Sequence, residues 1–173
     1  MPDGKVSNTF TNALETTTAH EGTARVQEPT GDFSVKGIRQ NVYDKWTKQK
    51  GLPRKGVGTL SNKERGEYVR DEYVLRPKLN ELPQEIFDIT FDFAFNSGPE
   101  TAISVLQQMV GAKADGIIGP NTKAKITSAM QKMGVEAFRS AYLDARQQYL
   151  SGLEGLNEYQ DGLKTRVDSF REE

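Results

Sequence analysis

The sequence predicts a mainly α-helical domain with one small β-hairpin flap after its first long helix. Three observations lead there. Apolar residues recur three and four positions apart through most of the chain, the spacing of one helix face. The stretch Gly22 to Lys36 breaks that rhythm, with Pro29, Gly31 and Asp32 set among threonines and a serine, which is turn chemistry. The segment Ile86 to Phe95 is apolar on so much of a helical wheel that it reads as buried on several sides. A length of 173 residues fits one domain with a sizeable core.

Taken in order, the polar start (residues 1–6) reads as loosely tied. A helix follows over Ser7 to Glu21, with Ser7 or Asn8 placed to cap it. Ala24-Arg25-Val26 and Phe33-Ser34-Val35 flank Pro29-Thr30-Gly31-Asp32 as the two arms of a small hairpin. Gly37-Ile38 opens a second helix carrying Ile38, Val42, Tyr43 and Trp46, stopped by Gly51. Ser61 and Glu64 fit a capping box, and the helix they start should run to about Tyr73. Pro83 precedes the core helix, which carries Phe87, Phe91, Ala94 and Phe95 on one stripe and Ile86, Ile89 and Phe93 beside it. Pro99 suits the first position of the next helix, with Ala102, Val105, Leu106 and Met109 inward. Asp115 to Pro120 is a tight loop, Asn121 can cap a further helix, and Gly134 stops it. A longer helix spans Val135 to Leu153, and Tyr159 to Phe170 forms a short last one. There is no internal repeat.

Composition removes several function classes. Lys plus Arg number 23 and Asp plus Glu 24, with a pI near 6.0, so no nucleic-acid footprint is expected. With no cysteine and one histidine, there is no disulfide framework, no Cys-based metal site and no multi-His zinc motif. No metal and no cofactor are expected. The polar N-terminus lacks an apolar signal region, and no run is long enough to span a membrane. The expectation is a monomer made in the cytoplasm without a signal peptide and released to the cell wall or periplasm by other means, a holin or a secretion system.

The first helix carries the most informative anomaly. Its inward stripe is Phe10, Leu14, Thr17 and then Glu21, so a face that should enter the core ends in a carboxylic acid, followed at once by Gly22. The negative end of the helix dipole and partial burial both raise a carboxyl pKa. A raised pKa holds the proton that a general acid needs. The alternative is a solvated glutamate on a fraying last turn.

Several stretches together resemble a known family. They are His20-Glu21-Gly22; Gly37-Ile38 with Tyr43; Phe91-Asp92-Phe93-Ala94-Phe95-Asn96-Ser97-Gly98; Leu106 to Gly111; Ala114 to Thr122; and Gly162 to Val167. In this order, from about residue 8 to residue 171, they resemble glycoside hydrolase family 108, the N-acetylmuramidases of phage endolysins and secretion-associated systems. The C-terminal half, residues 99–171, resembles a type 3 peptidoglycan-binding region. The resemblance implies a lysozyme-like helical fold with a groove between two lobes, one over residues 7–98 and the other over 99–171. It implies a catalytic Glu at the end of the first long helix, which is Glu21 here. The implied substrate is peptidoglycan glycan, cut at the β-1,4 bond between N-acetylmuramic acid and N-acetylglucosamine. The sequence departs from the family after Glu21, where Glu21-Gly22-Thr23-Ala24 and Glu28-Pro29-Thr30-Gly31-Asp32-Phe33-Ser34 replace the usual Glu-Gly-Gly-Tyr and Asp-Pro-Gly-Gly-Ala-Thr.

Glycoside cleavage also needs a group that handles oxocarbenium-like charge or activates water. Asp32, beside the turn glycine, is the favoured second carboxylate and Glu28 the other; the competing reading of Asp32 is a turn residue bonding its own backbone. Ser34 is a candidate to orient a water. Tyr43 and Asn96 are candidates to line the groove, against core packing for Tyr43 and turn capping for Asn96. Trp46 falls on the core stripe. His20 adjoins the acid in sequence, and a surface or supporting role is expected of it. Asp115-Gly116 lacks the further acidic positions of a calcium loop and reads as a structural turn. The rival from another class is a non-catalytic peptidoglycan-binding or secretion-accessory protein, supported by the altered segment 23–36. A phage structural protein bearing a lysozyme-like module is a third reading.

Overall fold

The computed structural model describes residues 10–15, 17, 25–27, 33–35, 37–153 and 160–171. Helix α1 is helical at residues 10–15 and 17. Strands β1 (Arg25–Gln27), β2 (Phe33–Val35) and β3 (Ile38–Arg39) form one antiparallel sheet in that order. The helices that follow are α2 (Gln40–Lys50), α3 (Asn62–Val69), α4 (Phe87–Ser97), α5 (Pro99–Met109), α6 (Pro120–Met133), α7 (Val135–Ser151) and α8 (Gln160–Ser169).

The expected hairpin is present, with Val26 opposite Ser34 and Gln27 opposite Phe33. A third strand was not expected. Ile38 was assigned to the second helix, yet it pairs with Val35, and Arg39 pairs with Ser34. Gly37, at φ +74°, provides the left-handed turn that a β-branched residue would resist. Ile38 is still fully buried, so the stripe it shares with Trp46 reaches the core from a strand on one side and a helix on the other.

The capping box at Ser61 and Glu64 forms as expected, with the Glu64 backbone N–H donating to Ser61 Oγ at 3.2 Å and the Ser61 N–H to Glu64 Oε2 at 2.9 Å. Helix α3 then widens into a π-turn over Arg70–Leu75, closed by the Arg76 N–H donating to the Asp71 carbonyl at 2.9 Å. Two smaller corrections concern helix starts. Ile86 belongs to a 3-10 turn, Gln84–Ile86, so the core helix begins at Phe87. Helix α6 begins at Pro120, with Gly119 as its N-cap, so Asn121 lies inside the first turn; proline needs no N–H donor there.

Helix α4 is the hub. From Phe87 to Phe95 every residue is buried except the half-buried Asp88. Phe87, Phe91 and Phe95 line one face, the first pair stacked at 5.9 Å and the second tilted at 6.1 Å between ring centres. Phe10 of α1 meets Phe91 edge-on at 5.7 Å, and Tyr73 meets Phe95 at 5.1 Å. On another face Phe93 contacts Tyr142 and Tyr149 of α7, at 6.2 and 5.8 Å. Aromatic pairs of this kind add about 0.5–1.5 kcal/mol each beyond the area they bury. The Tyr142 hydroxyl, fully buried, donates to the Ala102 carbonyl of α5 at 2.9 Å, and burial pushes its pKa up. At the solvent edge Arg139 grips both oxygens of Asp88 at 2.8 and 2.9 Å. Among the described residues no helix is long and apolar enough to cross a membrane.

Candidate functional site

Three of the four residues on the α1 stripe are placed. Phe10 and Leu14 pack against the core and Thr17 is buried. Glu21 is the fourth, and it lies outside the described residues, as do His20, Glu28 and Asp32. Ser34 is the middle residue of β2, opposite Val26 on one side and Arg39 on the other. Asn96 is the penultimate residue of α4, half-buried, and its Oδ1 accepts from Ser97 Oγ at 3.1 Å. Tyr43 is a core residue, 3% exposed, packed on Trp46 at 5.5 Å and Tyr68 at 5.4 Å. The packing alternative is therefore the one the fold realises for Tyr43. Its neighbour Val42 is the α2 residue that reaches the groove described below.

The strongest polar feature of the interior is a cluster around Asp92, in the middle of the most apolar helix. Thr17 Oγ1 of α1 donates to Asp92 Oδ1 at 2.8 Å. Arg166 of α8 donates through Nη2 to Oδ1 at 2.9 Å and through Nε to Oδ2 at 3.1 Å. Arg146 of α7 brings Nη2 to 2.8 Å from Oδ2, with its guanidinium carbon 5.1 Å from the centre of the Phe93 ring. Burial alone would raise the Asp92 carboxyl, but the Arg146 charge, the Arg166 hydrogen bonds and charge, and the Thr17 hydroxyl outweigh it, so the pKa falls below the usual range. Asp92 is therefore a fixed anion. It ties α1, α7 and α8 to α4 and anchors the described end of α1, four residues before Glu21 in sequence.

A groove of about 500 Å³ opens beside this core. One wall carries Val42 of α2, Tyr68 of α3 and, from the π-turn onward, Glu72, Tyr73, Arg76 and Pro77. The other wall is the α4–α5 junction, Ser97 to Thr101, with Gly116 from the following loop. Glu72, with its side chain 15% exposed, accepts from Arg76 Nη1 at 2.8 Å. Asn96 directly precedes the Ser97 end of the groove in sequence.

The loop at Gly116 is set by Gln107, a buried side chain of α5. Its Nε2 donates to Asp115 Oδ1 at 3.0 Å, the Ile117 carbonyl at 2.9 Å and Thr122 Oγ1 at 3.0 Å. Its Oε1 accepts from the Gly116 N–H at 2.9 Å. Gly116 has φ +70°, and a Cβ there would stand 3.3 Å from the Glu100 backbone. The Asp115-Gly116 turn is thus held by an amide. Among the described residues no group of three or more metal-ligating side chains gathers.

The comparisons with known proteins agree with this frame. Residues 14–98 match the model of glycosyl hydrolase 108. That span runs from α1 through the sheet to the end of α4 and includes Glu21, Asp32, Ser34, Tyr43 and Asn96. It supports glycoside hydrolase chemistry on a glycan. The chain also superposes on the structure of Brucella abortus SagA with a TM-score of 0.77 at 28% sequence identity, over 96% of this chain and 93% of that one. The mainly α, lysozyme-like fold expected from the sequence is the fold observed. No curated protein matches the chain in sequence.

Sequence reasoning missed the Asp92 partners and the Glu72–Arg76 wall. The signal for the first was present, since a carboxylate inside the most apolar helix requires a charged partner. Arg146 and Arg166 stand 54 and 74 positions away, too far for spacing to assign them.

Proposed function

We propose that the chain is a peptidoglycan hydrolase of the endolysin type, an N-acetylmuramidase that cuts the β-1,4 bond between N-acetylmuramic acid and N-acetylglucosamine. The observation that carries this reading is the family match over residues 14–98, because it includes Glu21, the residue on which the inward stripe of the first helix ends. In this reading Glu21 protonates the leaving oxygen, the role of a general acid. Asp32 faces the developing positive charge or activates water, and Ser34 orients that water. Asn96 contributes an amide at the groove for the N-acetyl groups, and residues 99–171 help hold the glycan strand. The protein works as a monomer on the cell wall after release from the cytoplasm.

The deciding experiment is mass spectrometry of digested peptidoglycan. New reducing N-acetylmuramic acid ends establish the activity, and intact glycan with cut stem peptides excludes it. Glu21→Gln should lower the rate at least a hundredfold, the lower end of a general acid's contribution, while the far-UV circular dichroism stays unchanged. A folded E21Q protein with near wild-type rate removes Glu21 from the mechanism.

One observation favours a second reading. The segment after Glu21 departs from the family pattern within residues 23–36, as a binding or secretion-accessory protein that had lost the second catalytic group would. Sedimentation with peptidoglycan without solubilising it would select that reading.

A further inference from the structure

We propose that the groove between the π-turn and the α4–α5 junction takes a primary ammonium group carried by peptidoglycan, with Glu100 as its counter-charge. The assignment rests on the peptidoglycan reading above and adds a specificity that the reading does not contain.

At about 500 Å³ the groove has the size of a small-molecule site. Its wall chemistry is mixed. Tyr73 supplies aromatic surface, which attracts cations, and Ser97 and Thr101 supply hydroxyls. Among the described residues, three ionised ones line it: Glu72, Arg76 and Glu100. Arg76 is spent on Glu72 at 2.8 Å. Glu100 has no ion-pair partner among the described residues, so of the three it is the charge left uncompensated.

Glu100 also sits on a fixed stretch of backbone. It occupies the first turn of α5 after Pro99, where the helix dipole lowers the cost of an unpaired carboxylate. Its backbone packs against Gly116, which Gln107 fixes from the other side. An unpaired carboxylate at a concave, partly aromatic site favours a cation over a neutral sugar face. Peptidoglycan offers a primary ammonium from two sources: the side chain of a diamino acid in the peptide stem, or an amino sugar that has lost its acetyl group.

The test is a 15N NMR titration of the full chain with soluble disaccharide-peptide fragments. One fragment carries a free side-chain amine and one carries the same amine acetylated. A third is a peptide-free disaccharide with a free amino sugar, paired with its acetylated form. For at least one source, the free-amine form should move the amides of Gly98, Thr101 and Gly116 and bind about two- to fivefold more tightly than its acetylated form, the size of a partly exposed ion pair. The source that shows the difference is the natural one. Glu100→Gln should abolish the difference and Glu100→Asp should keep it, each with an otherwise native spectrum. Equal affinity for the free and acetylated forms of both fragments, or shifts confined to other residues, overturns the proposal. Release of reducing ends, measured in parallel, separates the two readings. Amine-dependent binding at these amides without cleavage overturns the hydrolase and leaves the groove assignment standing. Cleavage with amine-independent binding overturns the groove assignment alone.

Discussion

The Asp92 cluster and the groove lie on neighbouring parts of one scaffold and treat charge in opposite ways. In the cluster, one carboxylate buried to 0% exposure meets two guanidinium groups and a hydroxyl within 3.2 Å. In the groove, one carboxylate is spent on an exposed arginine and the other is left over. Taking charge out of water costs several kcal/mol per ion unless it is matched, so both oxygens of the dry carboxylate are met by cations, although buried N–H groups of Arg146 are left without a hydrogen-bond acceptor. The wet site can keep a surplus cheaply, because solvent screens it. A structural charge is therefore found with its partners already in place, and a charge available to a ligand is found where water now stands.

The comparison breaks most sharply at Asp92. Asp92→Ala leaves two buried arginines without their anion and should cost about 3–5 kcal/mol, read as a lower midpoint in urea unfolding at unchanged slope. Because the Asp92 pKa is depressed in the fold, its contribution is fully present above the carboxyl's ordinary value of 3.8. It is lost as pH falls below that value through the folded pKa. Acid unfolding curves should show this loss below about pH 4 in the wild type, and a folded Asp92→Asn should lack that component. A flat stability profile in the same window would mean that the cluster contributes no net stability.

Gln107 lies between the two extremes, a neutral buried side chain serving the groove loop. Gln107→Ala removes four hydrogen bonds and exposes their partners only in part, so a loss of about 2–3 kcal/mol is expected. Faster hydrogen exchange at Gly116 and Ile117 should accompany it. The smallest effect belongs to the groove wall. Arg76→Ala breaks an exposed pair whose arginine is 67% exposed and should change stability by less than about 1 kcal/mol, within the error of most melts. A large loss there would show that the groove wall is structural after all.

What the sequence made legible follows from which interactions are local. Helix faces, the Ser61–Glu64 cap and the β1–β2 hairpin depend on residues a few positions apart, and each appears where spacing places it. Strand β3 was hidden because Gly37-Ile38 reads equally as the start of a helix; the pairing of Ile38 with Val35 is a tertiary fact. Tyr43 was ambiguous for the same reason, since an aromatic residue beside Trp46 suits core and groove alike until Tyr68 closes over it. Glu21 was singled out by the stripe that ends on it, and Thr17, one step earlier on that stripe, proves to be the residue that joins Asp92. The groove wall could not be read because the π-turn shifts the phase of the helix that carries it.

That shift has a consequence for how this surface can change. A π-turn holds one residue more than the α-helix it interrupts. Deleting a single position between Arg70 and Leu75 would rewind the segment to the ordinary repeat, leave the chain before and after it close to its present course, and change which side chains of the segment face the opening. Ligand preference at this edge is therefore governed by the number of residues as much as by their kind, so a one-codon deletion could re-aim the surface in a single step.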